Sequence, residues 1–148
     1  MVGVRRVLAV ILLIAGGAHA NVLFVNGAST GETQDGAAWA SAFKTIQAGI
    51  VAAQNAGGGD VWVAQGTYVG SAGTPVNLQD VPLGDTSVIL PEGVHLFGGF
   101  AGNESSREAR DWTANPTIID GANTRRGVAS IGVSEGGATL DGFVITRG

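Results

Sequence analysis

The sequence predicts an all-β chain of short strands wound as a solenoid, with one helix near its N-terminal end. Three observations lead there. Glycine is abundant, 25 of 148 residues, and sits between short β-branched runs, where tight corners would fall. One segment, from Ala37 to Gln54, shows helical periodicity. Two segments, Thr117-Ile118-Ile119-Asp120-Gly121 and Ala138-Thr139-Leu140-Asp141-Gly142, share an aliphatic-Asp-Gly ending, and Asp141 lies 21 positions after Asp120. A period near twenty with short strands and glycine corners is the mark of stacked repeats, each supplying one strand to each face.

The elements follow in order. Residues 1–20 read as a signal peptide: Arg5 and Arg6 precede an apolar run from Val7 to Ile14, and Ala18-His19-Ala20 is a small-x-small site, which puts cleavage between Ala20 and Asn21. The run is too short for a membrane anchor, because Gly16-Gly17 interrupts it. Residues 21–59 then give a first strand at Val22–Val25, a glycine-rich loop from Gly27 to Gly36, and a helix capped by Asp35. Trp39, Phe43, Ile46 and Ile50 form its apolar stripe, with Lys44, Gln47 and Gln54 off it; Gly49 weakens it and Gly57-Gly58-Gly59 ends it.

Residues 60–148 supply the first repeats. Strands are expected at Asp60–Ala64 and Thr67–Val69, at Ser87–Leu90, and at Val94–Phe97 with Gly98-Gly99 ending it. Further strands are expected at Thr117–Gly121, Val128–Val133 and Thr139–Thr146. Two long loops separate them, Gly70–Thr86 and Ala101–Pro116.

Composition excludes several functions. Loss of Arg5 and Arg6 with the leader takes the formal charge from −4 to −6, and Lys44 is the single lysine, so a nucleic-acid partner is not expected. Arg107/Arg110 and Arg125/Arg126 read as solvated surface among acids. No cysteine is present, which rules out disulfides, thiolate zinc sites and thiol catalysis, and favours a bacterial envelope or extracellular setting. Asn103-Glu104-Ser105 has the form of a glycosylation sequon, without meaning in a bacterial protein.

Several residues invite chemistry. Stacked in register, Asp120 and Asp141 would place two carboxylates about 4.8 Å apart, enough for calcium or for acid/base work. The plainer reading is two Asp-Gly corners. His95 reads as an outward-facing strand residue before it reads as a general base. Arg125, Arg126 and Arg147 could hold uronate carboxylates, and Trp62, Trp112 and Tyr68 could stack on sugar; turn arginines and packed aromatics are the simpler roles. No catalytic residue, metal ligand or cofactor is assigned.

The order of blocks also carries a resemblance. Phe24-Val25-Asn26 with Trp39-Ala40-Ser41-Ala42-Phe43 and Ile46-Gln47-Ala48 resembles the opening of the right-handed parallel β-helix, pectin-lyase-like superfamily, in its bacterial exported surface-protein form. Asp60-Val61-Trp62-Val63-Ala64-Gln65-Gly66-Thr67-Tyr68, Gly93 to Phe100, Arg110-Asp111-Trp112 with Asn115 to Ile119, and Leu140 to Thr146 are similar to its successive segments. The resemblance implies a right-handed parallel β-helix with an N-terminal capping helix. It implies a non-catalytic cell-surface or extracellular structural or adhesin-like protein, in contact with extracellular polysaccharide or cell-envelope components. The alternative it carries is the N-terminal portion of a polysaccharide lyase or glycoside hydrolase. The family has more repeats, so the chain is expected to be part of a longer reading frame, with its last strand, Phe143–Thr146, open to association.

Overall fold

The computed structural model describes residues 21–70, 86–132 and 137–148. The expected signal peptide, its Ala20–Asn21 cleavage site up to Ala20, most of the Gly70–Thr86 loop and Val133 lie outside the described residues. Nine strands and one α-helix are found among them: β1 (Val22–Val25), α1 (Ile46–Asn55), β2 (Gly59–Ala64), β3 (Gly66–Val69), β4 (Thr86–Pro91), β5 (Val94–Phe100), β6 (Thr117–Asp120), β7 (Arg126–Ile131), β8 (Thr139–Asp141) and β9 (Phe143–Thr146).

The strands form three sheets, and every strand pairing among the described residues is parallel. The first sheet has the order β1-β2-β5-β8, the second β3-β6-β9 and the third β4-β7. From β2 onward the chain therefore visits the first, second and third sheets in turn, twice, and then the first and second again. Among the described residues the fold is β-rich and parallel, with one α-helix.

Three corners between sheets are made by one or two residues. Gln65 separates β2 from β3, and Glu92-Gly93 separates β4 from β5. At Gly142 the chain leaves the first sheet for the second with φ of 79°, and a methyl group there would lie 2.6 Å from the Gly98 carbonyl oxygen. Only glycine meets both conditions. The segment Thr139–Thr146, expected as one strand, is thus two strands in two sheets. The strand at Val94 runs on through Gly98-Gly99 to Phe100, because a register shift opposite Trp62/Ala64 absorbs the irregularity.

Side chains of one parity point into the space the sheets enclose. Val25, Val61, Val63, Val88, Leu90, Val94, Leu96, Tyr68 and Ile119 are buried there in one cluster. Ladders stack like on like: Leu23, Val61, Leu96 and Leu140 follow one another across the first sheet, and Tyr68, Ile119 and Ile145 across the second.

The helix differs from expectation in its start. Residues 39–41 form a single 3-10 turn, Ala42 is extended, and Phe43 bridges to Val25 as if it were a short strand. Asp35 accepts from Ala37 N (3.0 Å) and from the Ser41 hydroxyl (2.5 Å), which braces the loop around the 3-10 turn without capping a helix; α1 is capped by Thr45, whose hydroxyl accepts from Ala48 N at 3.3 Å. Trp39 and Phe43 leave the stripe, and Ile46, Ile50 and Ala53 carry the buried face. Gly49 belongs to that face too. A methyl group there would stand 2.6 Å from Val25 Cγ2 and 3.0 Å from Val61 Cγ1, so its lack of side chain seats the helix on β1 and β2. The helix ends as expected: Gly57 N donates to Gln54 O (3.0 Å) and Gly58 N to Ala53 O (2.9 Å), the paired bonds of a Schellman ending.

Gln47 has a role the stripe did not reveal. Its Oε1 accepts from Ile89 N (3.0 Å) and its Nε2 donates to Ile89 O (3.5 Å). Thus α1 satisfies backbone groups on the edge of β4 that faces away from β7, an edge that would otherwise be open to another strand.

Candidate functional site

The outer face of the first sheet carries two side-chain rows. Asp60, His95 and Thr139 form one, and Phe24, Trp62, Phe97 and Asp141 the other. His95 Nδ1 lies 3.0 Å from the Thr139 hydroxyl, between the buried Val94 and Leu96, an outward strand residue held by its neighbour on the ladder.

The aromatic row is roofed. Trp62 stacks on Phe100 with ring centres 4.9 Å apart, Phe24 meets Trp62 edge-on at 5.6 Å, and Trp39 lies 4.7 Å from Phe24 and 5.6 Å from Phe100. Each such pair is worth about 0.5–1.5 kcal/mol beyond the area it buries. Trp39 Nε1 donates to Glu104 O (2.9 Å), which ties this cluster to the 101–116 loop. Glu104 in turn accepts from the N–H groups of Ala101 (2.6 Å), Gly102 and Asn103 (both 3.0 Å). Burial pushes the Glu104 carboxyl upward, but these donors outweigh it and hold the group below its usual range. The sequon is therefore the corner on which the loop folds.

The loop's two arginines differ: Arg107 stays exposed, as expected, while Arg110 is largely covered. Arg107 lies 4.7 Å above the Phe97 ring and 3.7 Å from the Asp60 carboxylate. Arg110 lies 5.3 Å from the Phe97 ring and 5.4 Å from the Trp112 ring. It donates to Gly98 O (3.2 Å) and Asp141 O (3.4 Å) and pairs with the Asp141 carboxylate. Its side chain is only 11% exposed; that of Asp141 is 51% exposed. The aromatic faces attract the guanidinium and exclude water from one side of it.

Beside this clamp Trp112 stands 58% exposed. Its backbone is fixed: Asp111 N donates to Gly99 O (2.8 Å), and Asp111 Oδ1 accepts from Thr113 N (2.9 Å) and Ala114 N (3.0 Å). Trp112, Thr117, Asp141, Gly142, Phe143 and Val144 line a shallow depression of about 370 Å³. An exposed aromatic ring and a half-exposed carboxylate meet in this depression, a pairing suited to a ligand with one apolar face and a polar rim.

A smaller cleft of about 200 Å³ lies between Lys44, Gln47, Tyr68 and Ser87. Its polar groups are mostly committed. Gln47 holds Ile89, Ser87 Oγ donates to Asp120 O (3.3 Å), and the Tyr68 hydroxyl donates to Ala64 O (3.0 Å) while accepting from Gly27 N (3.2 Å).

Other expected site residues fall apart in space. Asp120 ends β6 in the second sheet opposite Thr146, and Asp141 ends β8 in the first sheet opposite Phe97. They do not stack, so the register that would have brought the two carboxylates together is not formed, and each stands at a strand end beside a glycine. Asp120 instead pairs with Arg147 and accepts from Ala122 N (2.8 Å); those bonds, with the arginine's first, hold its carboxyl below the usual range against the opposing effect of burial. Arg147 is thereby spent, and Arg126 stands exposed at the start of β7 opposite Thr86. Trp62, Tyr68 and Trp112 do not share a platform: Trp62 is roofed on the outer face, Tyr68 is in the core, and Trp112 alone is presented to solvent.

Among the described residues no group of three or more His, Asp or Glu side chains converges as a metal site, and no helix is long and apolar enough to cross a membrane. No family model matches the chain, and no curated protein or solved structure matches it either.

Proposed function

We propose that this chain is an exported, non-catalytic structural or adhesin-like protein of the cell surface or extracellular space, built as a right-handed parallel β-helix and in contact with polysaccharide. The observation that carries the reading is the repeated visit to three parallel sheets in fixed order, with like side chains stacked in the enclosed space. Parallel strands joined by crossovers within one sheet are right-handed in nearly all cases, which supports the hand. The helix α1, its face of Ile46, Ile50 and Ala53 set on the core and Gln47 on the β4 edge, fits the part of an end cap. The leader-like residues 1–20 support export, and the exposed Trp112 beside Asp141 supports sugar contact.

Two measurements test it. N-terminal sequencing of the exported product is expected to begin Asn-Val-Leu-Phe; retention of Arg5 and Arg6 refutes the leader. Incubation with pectate and calcium is expected to give no unsaturated product in the ultraviolet. Product that disappears in Asp120→Ala or Asp141→Ala would establish a lyase instead.

A further inference from the structure

We propose that the depression beside Trp112 is a subsite for a neutral pyranose unit of a polysaccharide, with the Trp112 ring as its stacking face and Asp141 as its hydroxyl acceptor. The inference rests on the polysaccharide-contacting reading above and narrows it to a substrate class.

The first support is the ring itself. Trp112 is largely exposed although its backbone is pinned by Asp111 on both sides, so a rigid aromatic face is held out at low entropic cost. A pyranose has an apolar face of C–H groups and an equatorial rim of hydroxyls. The C–H face meets the negative face of an indole, and the rim needs acceptors and donors at its edge.

The second support is the charge at that edge. Arg110 is sandwiched near Phe97 and Trp112, and its guanidinium is occupied by Gly98 O, Asp141 O and the Asp141 carboxylate. It fixes Asp141 beside the ring without offering a free cation. The carboxylate stays half exposed, and an ionised carboxylate has about four lone-pair sites, more than one arginine uses. The Thr117 hydroxyl is committed to Gly99 N at 2.9 Å. The depression therefore presents an acceptor and an aromatic face, and no uncompensated positive charge. A uronate would bring its own carboxylate against Asp141, and like charges in contact disfavour it.

The test titrates the intrinsic tryptophan fluorescence of the exported chain with β-1,4-linked hexasaccharides of glucose, mannose and xylose, and in parallel with hexagalacturonate. At least one neutral hexasaccharide is expected to perturb the emission saturably, and hexagalacturonate is not. By calorimetry, Trp112→Ala is expected to weaken the neutral ligand at least tenfold and Trp112→Phe to retain most of the binding. Asp141→Asn is expected to weaken the neutral ligand and, by releasing Arg110, to raise affinity for hexagalacturonate. Preferential binding of hexagalacturonate through Trp112 overturns the neutral assignment and leaves the polysaccharide reading standing. Binding unchanged in Trp112→Ala overturns the site. Failure of all four saccharides to bind overturns both.

Discussion

Gly49→Ala sets two physical effects against each other, and the structure gives the sign. A glycine inside a helix costs about 1 kcal/mol relative to alanine, so helix propensity alone makes the substitution stabilising. The contact says otherwise. Ordinary carbon–carbon contact lies near 3.5–4.0 Å, and the new methyl would sit 2.6 Å from Val25 Cγ2 and 3.0 Å from Val61 Cγ1. An overlap of about 1 Å must be relieved by moving the helix or the strands. Both valines are fully buried, and a β-branched side chain has little rotamer freedom with which to yield. Overpacking of this kind costs about 1–3 kcal/mol, and two stiff neighbours put it in the upper half of that range. The net expectation is a loss of about 1–2 kcal/mol, which lowers the melting midpoint by roughly 3–10 °C for a domain of this size. Thermal unfolding followed by far-ultraviolet circular dichroism measures it. Val25→Ala opens the space the methyl needs, so Gly49→Ala combined with Val25→Ala should show a favourable coupling of about 1–2 kcal/mol. A raised midpoint in Gly49→Ala, or strict additivity in the pair, refutes the close seating of α1 on β1 and β2.

Three further outcomes are expected. Tyr68→Phe strands Ala64 O and Gly27 N and should cost about 1–3 kcal/mol. Burial raises the Tyr68 phenol above the usual tyrosine value and outweighs the Gly27 N–H, so its share of stability is present below about pH 10 and is lost as pH rises through the folded value; as the single tyrosine, it should show phenolate absorbance delayed until then. Asp120 is shifted the other way, so its stabilisation by Arg147 is present above the usual carboxylate value near 3.9 and lost in acid; the difference in melting midpoint between the parent and Arg147→Gln should shrink as pH falls from 6 to 2. A polypeptide of residues 21–148 should self-associate through β9, where no strand among the described residues pairs with its second edge and Ile145 is 50% exposed. Because Ile145 follows the buried Ile119 on the ladder and Val144 follows the outward Ile118, Ile145→Lys rather than Val144→Lys should suppress the association on concentration-dependent size exclusion.

Local chemistry was legible and long-range register was not. The strands announced themselves through β-branched runs, and Gly57-Gly58 announced the end of α1. The start of α1 was misread because Trp39, Phe43, Ile46 and Ile50 satisfy helical spacing by number alone; Phe43 N and O are taken by Phe24 O and Asn26 N, at 2.9 and 2.8 Å, which removes it from any helix. Asp120 and Asp141 look alike because both end a strand at a glycine corner. Corner chemistry repeats wherever a strand stops, whereas stacking is decided by hydrogen bonds between segments far apart in sequence. The Arg110–Asp141 clamp spans 31 positions, and nothing near Arg110 in the chain foretells its partner.

The separation between stacked residues carries a consequence of its own. Asp60 sits opposite His95, 35 positions on; Gly66 sits opposite Thr117, 51 positions on; and Thr117 sits opposite Phe143 after only 26. Neighbouring strands keep their spacing through backbone bonds, so the frame measures distance in hydrogen bonds and is indifferent to how many residues are spent between them. The surplus leaves as detours such as 101–116, which joins the first sheet to the second and on the way lays Arg107, Arg110 and Trp112 on the outside. Such a chain can lengthen or rewrite a detour without disturbing the ladders beneath. New surface chemistry and an unchanged interior then become separable matters of inheritance, and the outer margin of the first sheet is where this molecule has used that freedom.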